Sequence, residues 1–427
     1  MKYIIMCGSS NGIHFEQPRQ LSKINNEPIV ARTIRLLREA GINDIAITSD
    51  KAIFNTFGVE WIEYNSYGTW VNAFYPMEEP VCYLFGDVVY SPEAIKTIVD
   101  YDEQDIMFFA SKPPFNANYC KGHAEPFAFK VTDTKYFFEC VKKLKQLLMN
   151  REVRRDISWE LWQVIKKTVL DQIDYNNYVA INDYTCDVDK PEDIKKIENC
   201  INNPKPTKYL IHAYPKRIWY VEQYLIPSLL NQGIKAENIA LYNDEKGEGN
   251  LKACMNAFAM VDDNDESTWH LQDDVIISKD FKKKTETNNR GLVCGFSSKK
   301  YDGPGRVGLV RQSNMWFSFP CICIPNKYAK DCSRWVKEEL IGNAIYRQYW
   351  QSGKNDDWAF RRYIDAYHKK DYALNLFPNI VDHIDYLIGG GSGGHRDEPV
   401  KSQYFKDVDL VDKLEDELWQ IKNQQNG

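Results

Sequence analysis

The stretch Asn202-Asn203-Pro204-Lys205-Pro206 constrains this chain most, because the pattern that precedes it starts again after it. Before it, residues 2–7 form a short apolar run followed by the turn Gly8-Ser9-Ser10-Asn11-Gly12. Residues 28–40 then carry Ile29, Ile34, Leu36 and Leu37 at helical spacing, with Gly41 at the stop. Further strands are expected over residues 45–48, 81–85 and 106–110. After it come a strand at 209–213, a helix at 219–231 ending before Gly233, a strand at 239–242, a polar loop at 243–250 and a strand at 269–271. This alternation predicts two α/β domains, residues 1–203 and 204–427, each a mostly parallel sheet with helices on its faces. No residue-level repeat relates them.

Charge and cysteine content narrow the function classes. The net charge is −6, and counting to Asn203 gives 23 basic and 29 acidic residues, leaving 31 of each in the remainder. Neither part has the basic excess of a dedicated nucleic-acid binder. The eleven cysteines are scattered without a Cys-x-x-Cys, which argues against a zinc knuckle and for reduced thiols in a cytoplasmic protein. The first residues, MKYIIMCGSS, are read as a strand and not as a leader, and no apolar run reaches membrane-spanning length.

Four features of the first part point to phosphate chemistry. Gly8, Ser9, Ser10 and Gly12 form a turn after a strand, where backbone N–H groups can approach phosphates. Pro18-Arg19-Gln20-Leu21 presents a cation on a proline-fixed turn, and Leu84-Phe85-Gly86-Asp87 ends an apolar strand in a carboxylate. Asp187 and Asp189, in Cys186-Asp187-Val188-Asp189-Lys190-Pro191-Glu192-Asp193, face one side of an extended strand, ahead of a proline-led helix start. Alone, Asp87 equally suits a helix N-cap.

These motifs resemble the nucleotidyltransferases that make sugar nucleotides and related activated alcohols, over about residues 1–200. The resemblance implies that the Gly8–Gly12 turn holds the phosphates of an NTP, that Arg19 stands for the family's lysine, and that Asp87, Asp187 and Asp189 hold Mg²⁺. A sugar 1-phosphate would attack the α-phosphorus and pyrophosphate would leave. Two departures stand out: Ile13-His14-Phe15-Glu16 replaces the arginine that usually follows the glycines, and Arg19 replaces lysine. His123 and Glu125, in Gly122-His123-Ala124-Glu125-Pro126-Phe127, could touch the second substrate, although a surface-loop role suits His123 better.

In the second part, Trp269-His270-Leu271-Gln272-Asp273-Asp274-Val275 runs a strand into consecutive carboxylates, able to hold a divalent metal that bridges a diphosphate. Asn243, Gly247, Gly249 and Asn250 make a preceding loop suited to a nucleotide. Asp356 or Asp357, in Asn355-Asp356-Asp357-Trp358, suits either a base that deprotonates an acceptor hydroxyl or a helix cap. His383 follows in Pro378-Asn379-Ile380-Val381-Asp382-His383. The glycine run at 389–394 reads as a linker or a lid.

This set resembles a glycosyltransferase of the A-type fold over about residues 208–397. The resemblance implies that Asp274 binds Mg²⁺ or Mn²⁺, that Asp273 or Gln272 lies near ribose or sugar, that Asp356 or Asp357 is the base, and that His383 contacts the metal and diphosphate. The motif departs from a strict Asp-x-Asp. Together the two resemblances imply two Rossmann-like mixed-sheet domains, nucleotidyltransferase-like then glycosyltransferase-like. The expected function is a bifunctional transferase that forms a nucleotide sugar from NTP and sugar 1-phosphate and passes the sugar to a hydroxyl acceptor. That acceptor is a glycan, a protein, a lipid-linked sugar or modified DNA. The alternatives are a glycosyltransferase with a degenerate first domain, and a non-catalytic nucleotide-binding scaffold.

Overall fold

Apolar runs bounded by glycine and proline take up a strand–helix alternation throughout this computed structural model. It describes residues 1–8, 14–65, 70–102, 105–111, 124–153, 158–170, 177–264, 266–297, 309–312, 319–340, 356–368, 371–388, 401–402 and 404–425. The chain divides into two units, Met1–Lys205 and Pro206–Gly427.

The first unit contains strands β1 (Lys2–Met6), β2 (Lys23–Ile24), β3 (Glu27–Pro28), β4 (Ile45–Ser49), β5 (Glu60–Glu63), β6 (Val81–Phe85), β7 (Val88–Val89), β8 (Ile106–Ser111), β9 (Pro126–Val131), β10 (Val179–Ile181) and β11 (Cys186–Asp187). Seven of them form one sheet in the order β10-β8-β9-β6-β1-β4-β5. β1 lies inside this sheet, parallel to both β4 and β6, and Ile4 and Ile5 are fully buried there, as a strand covered on both faces requires. The helix Ile29–Glu39 packs through Ile29, Val30, Ile34 and Leu37 and ends before Gly41, whose φ of +85° lets the chain turn back. β9 breaks the expected parallel pattern, pairing antiparallel with both β6 and β8.

The second unit contains β12 (Lys208–Ala213), β13 (Ile239–Asn243), β14 (Ser267–Gln272), β15 (Val275–Ile277), β16 (Val293–Cys294), β17 (Leu309–Gln312), β18 (Cys321–Pro325), β19 (Tyr372–Asn375) and β20 (Val381–His383). Its sheet runs β13-β12-β14-β18-β16-β19-β17. β12 is parallel to β13 and β14, and β18 is antiparallel to β14. Helices Asn250–Met260, Asn326–Trp335 and Asp356–Tyr367 share one core through Leu251, Phe258, Ala329, Phe360 and Ile364, packed with Ile322 and Ile324 of β18. No helix among the described residues is long and apolar enough to cross a membrane.

The two sheets share a four-strand plan. In the first it reads β4-β1-β6-β9 and in the second β13-β12-β14-β18: two parallel neighbours around the unit's first strand, then an antiparallel one. In each, the third strand of the four leads into the acidic turn. That turn opens a short antiparallel pair with a strand from much later in the unit, β7 with β11 and β15 with β20.

Candidate functional sites

In the first unit, Gly86 turns the chain at the end of β6. A Cβ there would lie 2.6 Å from the Met6 carbonyl oxygen and 2.9 Å from Cys7 Sγ, so only glycine allows this approach to β1. The β7–β11 pair sets Asp187 opposite Val88, and the Val188 amide donates to the Asp87 carbonyl at 3.0 Å. Asp193 secures the helix Pro191–Asn202 that follows, because its Oδ2 accepts from the amides of Asp189 (3.1 Å) and Lys190 (3.2 Å).

Arg19 joins these acids. It opens a one-turn 3₁₀ helix after Pro18, and its Nη2 lies 2.5 Å from Asp87 Oδ2. Its Nη1 donates to Asp189 Oδ1 at 2.7 Å, and Asp187 adds to the field that keeps the guanidinium charged against its partial burial. Residues about a hundred and seventy positions apart thus meet at the sheet edge where ligands bind in open α/β folds. The arrangement is not an open metal site: Arg19 holds one oxygen of Asp87 and one of Asp189. Among the described residues, moreover, no cluster of three or more His, Cys, Asp or Glu is disposed to hold a metal ion. Gly8 follows β1 at this edge, whereas Ser9, Ser10, Gly12 and His123 lie outside the described residues. Glu125 is buried.

In the second unit, Asp273 and Asp274 form the turn between β14 and β15, and both are buried. Asp273 accepts from the Tyr214 amide at 2.6 Å and from Arg217 Nη1 at 3.0 Å. The same nitrogen donates to Asp274 Oδ2. The β15–β20 pair sets His383 opposite Val275, and the Ile384 amide donates to the Asp274 carbonyl at 2.8 Å. His383 Nε2 consequently lies 3.2 Å from Asp274 Oδ2, while its Nδ1 lies 3.3 Å from Asp385 Oδ1. Asp274 Oδ1 is buried with no hydrogen-bond partner. Burial and the neighbouring Asp274 push the Asp273 carboxyl up; burial opposes ionisation of Asp274 as well, but His383 and Arg217 outweigh it and hold that group down.

Gln272 links this turn to the helix Asp356–Tyr367, its Nε2 donating to Asp356 Oδ2 at 3.5 Å. Burial, reinforced by the charge of Asp357, pushes the Asp356 carboxyl up to about 6. Asp357 instead turns toward its own helix, its Oδ1 accepting from the Trp358 amide at 2.7 Å. The loop after β13 is organised by Asp244, whose carboxylate accepts from the amides of Glu248 (3.0 Å) and Gly249 (3.2 Å). Gly247 and Gly249 have φ of +62° and +92°, and Asn250 is the first residue of the following helix. Asn243 Oδ1 at the end of β13 is buried without a partner. Asn355 and the 389–394 run lie outside the described residues.

Sequence reasoning missed three residues that build these sites: Arg217, Asp244 and Asp385. A signal for the first was present. Pro215-Lys216-Arg217 follows β12 as a one-turn 3₁₀ helix, just as the Pro18-led turn carries Arg19 after β1.

The second turn is no more an open metal site than the first: Arg217 Nη1 holds one oxygen of Asp273 and one of Asp274, and His383 Nε2 faces that same Asp274 oxygen.

No protein-family model matches the chain, and no curated protein matches it. Among solved structures, a protein labelled a glucose-1-phosphate thymidylyltransferase from Bacillus anthracis, in complex with a sucrose, is 14% identical. The match covers 48% of this chain and 96% of that one at a TM-score of 0.36. A 4-diphosphocytidyl-2C-methyl-D-erythritol synthase from Anaerococcus prevotii is 13% identical, covering 47% of this chain and 98% of that one at a TM-score of 0.34.

Proposed function

We propose that the chain is a bifunctional transferase whose first unit forms a nucleotide sugar and whose second transfers the sugar to a hydroxyl. One observation carries this reading. In each unit a short antiparallel pair returns a late residue, Asp187 or His383, to the acidic turn at the end of the sheet's third strand. Two sites of one plan, each with a guanidinium at its acids, suit two successive reactions on phosphate-bearing substrates.

In the first reaction a phosphate oxygen of the sugar 1-phosphate bonds to the α-phosphorus of the NTP, and the bond to pyrophosphate breaks. Arg19, whose planar fork matches phosphate as well as carboxylate, exchanges its carboxylate partners for substrate oxygens. In the second reaction the acceptor oxygen bonds to the anomeric carbon while the bond to the nucleoside diphosphate breaks. Asp356, pushed up to about 6, is ionised above that pH and takes the hydroxyl proton. Gln272 holds its carboxylate toward the turn. The Arg217 guanidinium, in contact with both acids of the turn, supplies positive charge beside the departing diphosphate. Asn243 and the Asp244-organised loop receive the nucleotide.

The test offers the full chain four NTPs against a panel of sugar 1-phosphates with Mg²⁺ or Mn²⁺, and measures pyrophosphate. Release with one pair, lost in Asp87→Asn, supports the first activity. A second reading is favoured by Arg19, which already neutralises Asp87 and Asp189. It makes the first site a degenerate binding platform and leaves only the transferase, and it predicts no pyrophosphate but turnover of ready-made nucleotide sugars that depends on Asp274.

A further inference from the structure

The carboxylate oxygens of the turn between β14 and β15 are engaged by the protein itself. Asp273 Oδ2 accepts from the Tyr214 amide at 2.6 Å, and Asp273 Oδ1 from Arg217 Nη1 at 3.0 Å. Asp274 Oδ2 meets the same Arg217 nitrogen and, at 3.2 Å, His383 Nε2. Of these oxygens, Asp274 Oδ1 alone has no hydrogen-bond partner among the described residues. Mg²⁺ and Mn²⁺ demand near-octahedral surroundings rich in oxygen. A dication at Asp274 Oδ1 would stand against the positive guanidinium on the other oxygen of the same carboxylate.

The guanidinium is also fixed in place. Arg217 ends the Pro-led one-turn helix Pro215–Arg217, its amide donating to the Tyr214 carbonyl at 2.8 Å, while the Tyr214 amide is held in turn by Asp273. Its side chain is 6% exposed, against 27% for Arg19 in the first unit, where the partner Asp189 is 49% exposed. Arg19 can part from its acids when a substrate arrives; Arg217 is enclosed with its own. We propose that the second unit works without a divalent cation: Arg217 holds the place between Asp273 and Asp274 that a cation would take, and a nucleoside diphosphate is bound and released there with no metal bridge. This rests on the reading of the second unit as a transferase that uses nucleotide sugars. The electrons of the broken bond leave with the diphosphate and the acceptor proton goes to Asp356, so donor and acceptor are the only reactants.

The test dialyses the full-length protein against EDTA, verifies metal removal by elemental analysis, and offers UDP-, GDP-, CDP-, ADP- and dTDP-linked sugars in EDTA or in Mn²⁺. Release of nucleoside diphosphate is followed, and binding of the five nucleoside diphosphates is titrated calorimetrically in both buffers. Asp274→Asn identifies the binding component that belongs to this turn. Release and that component are expected to agree between EDTA and Mn²⁺ to within about threefold. Arg217→Met is expected to weaken the component in EDTA by about 10–100-fold, the effect of losing a hydrogen bond to a charged group. Near-ultraviolet circular dichroism verifies that the variant is folded; where it is not, the wild-type comparison decides alone. Release or binding confined to Mn²⁺ overturns the proposal and leaves the transferase reading standing. An unchanged affinity in folded Arg217→Met overturns the role of the guanidinium. Neither binding nor release with any of the five in either buffer overturns the transferase reading, and the proposal with it.

Discussion

Replacing Arg217 by methionine removes the cation shared by two buried carboxylates. The guanidinium and both acids have side chains less than a tenth exposed, with Arg217 Nη1 3.0 Å from Asp273 and in contact with Asp274. Breaking a buried pair by deleting one partner costs about 3–5 kcal/mol, because the remaining charge stays desolvated. His383 still faces Asp274, so Asp273 carries most of this loss. Asp273 already has its carboxyl pushed up by burial and by Asp274, and losing Arg217 pushes it further. The variant therefore takes up a proton in its folded state on acidification, and its deficit against wild type shrinks as pH falls. At pH 7.5 the expected loss is about 3 kcal/mol, equivalent to a lowering of Tm by about 6–12 °C for a unit of this size. At pH 5 the deficit is expected to fall by about half. Calorimetry of the full chain at both pH values, with Asp273→Asn/Arg217→Met as the companion, reads this directly. The double variant should recover at least about 1 kcal/mol at pH 7.5. A loss under about 1 kcal/mol, or one that does not vary with pH, refutes the view that Arg217 is the required counter-charge.

Three further outcomes follow from the geometry. His212 and His270 share a hydrogen bond of 2.9 Å inside the second unit, and burial lowers His212 to about 4 and His270 well below its usual value. Both stay neutral when folded and charge when unfolded, so stability is fully present above about pH 6.5 and is lost as pH falls toward 4. Urea midpoints across that range should show a flatter slope in His270→Phe, and an unchanged slope counts against the pair. Gly86→Ala places a methyl 2.6 Å from the Met6 carbonyl and should cost about 1–3 kcal/mol in chemical denaturation of the first unit; a neutral result contradicts the close approach. Transfer by the second site should rise with pH through about 6 as Asp356 ionises, and Asp356→Asn should lower kcat by at least about a hundredfold without a matching change in KM. A pH profile flat between 5 and 8 excludes Asp356 as the base.

The sheet strands and their acidic ends were legible because they are local. The apolar runs at 2–7 and 81–85 emerge as Lys2–Met6 and Val81–Phe85, and the stops at Gly41 and Gly233 carry φ of +85° and +78°. Arg19 and Asp87 were marked separately in sequence and meet in space. The short pairs that complete the sites were not legible. Val88–Val89 and Cys186–Asp187 are two residues each, too short for any periodicity, and their pairing joins segments about a hundred residues apart. The reversed strands Pro126–Val131 and Cys321–Pro325 have the same apolar composition as parallel ones, so direction left no mark on sequence. Arg217 and Asp385 escaped notice because their roles depend on buried neighbours, Asp273 and Asp274 for one and His383 for the other, and not on a motif of their own.

The most direct test of the central claim follows one radiolabelled sugar through both reactions. The full chain receives a labelled sugar 1-phosphate, the matching NTP, Mn²⁺ and a panel of hydroxyl acceptors, beside Asp87→Asn and Asp274→Asn variants. The account predicts label in a nucleotide sugar and then in an acceptor. Asp87→Asn should block both steps, and Asp274→Asn should let the nucleotide sugar accumulate. An Asp87→Asn variant that still forms the nucleotide sugar, or an Asp274→Asn variant that still transfers it, contradicts the account.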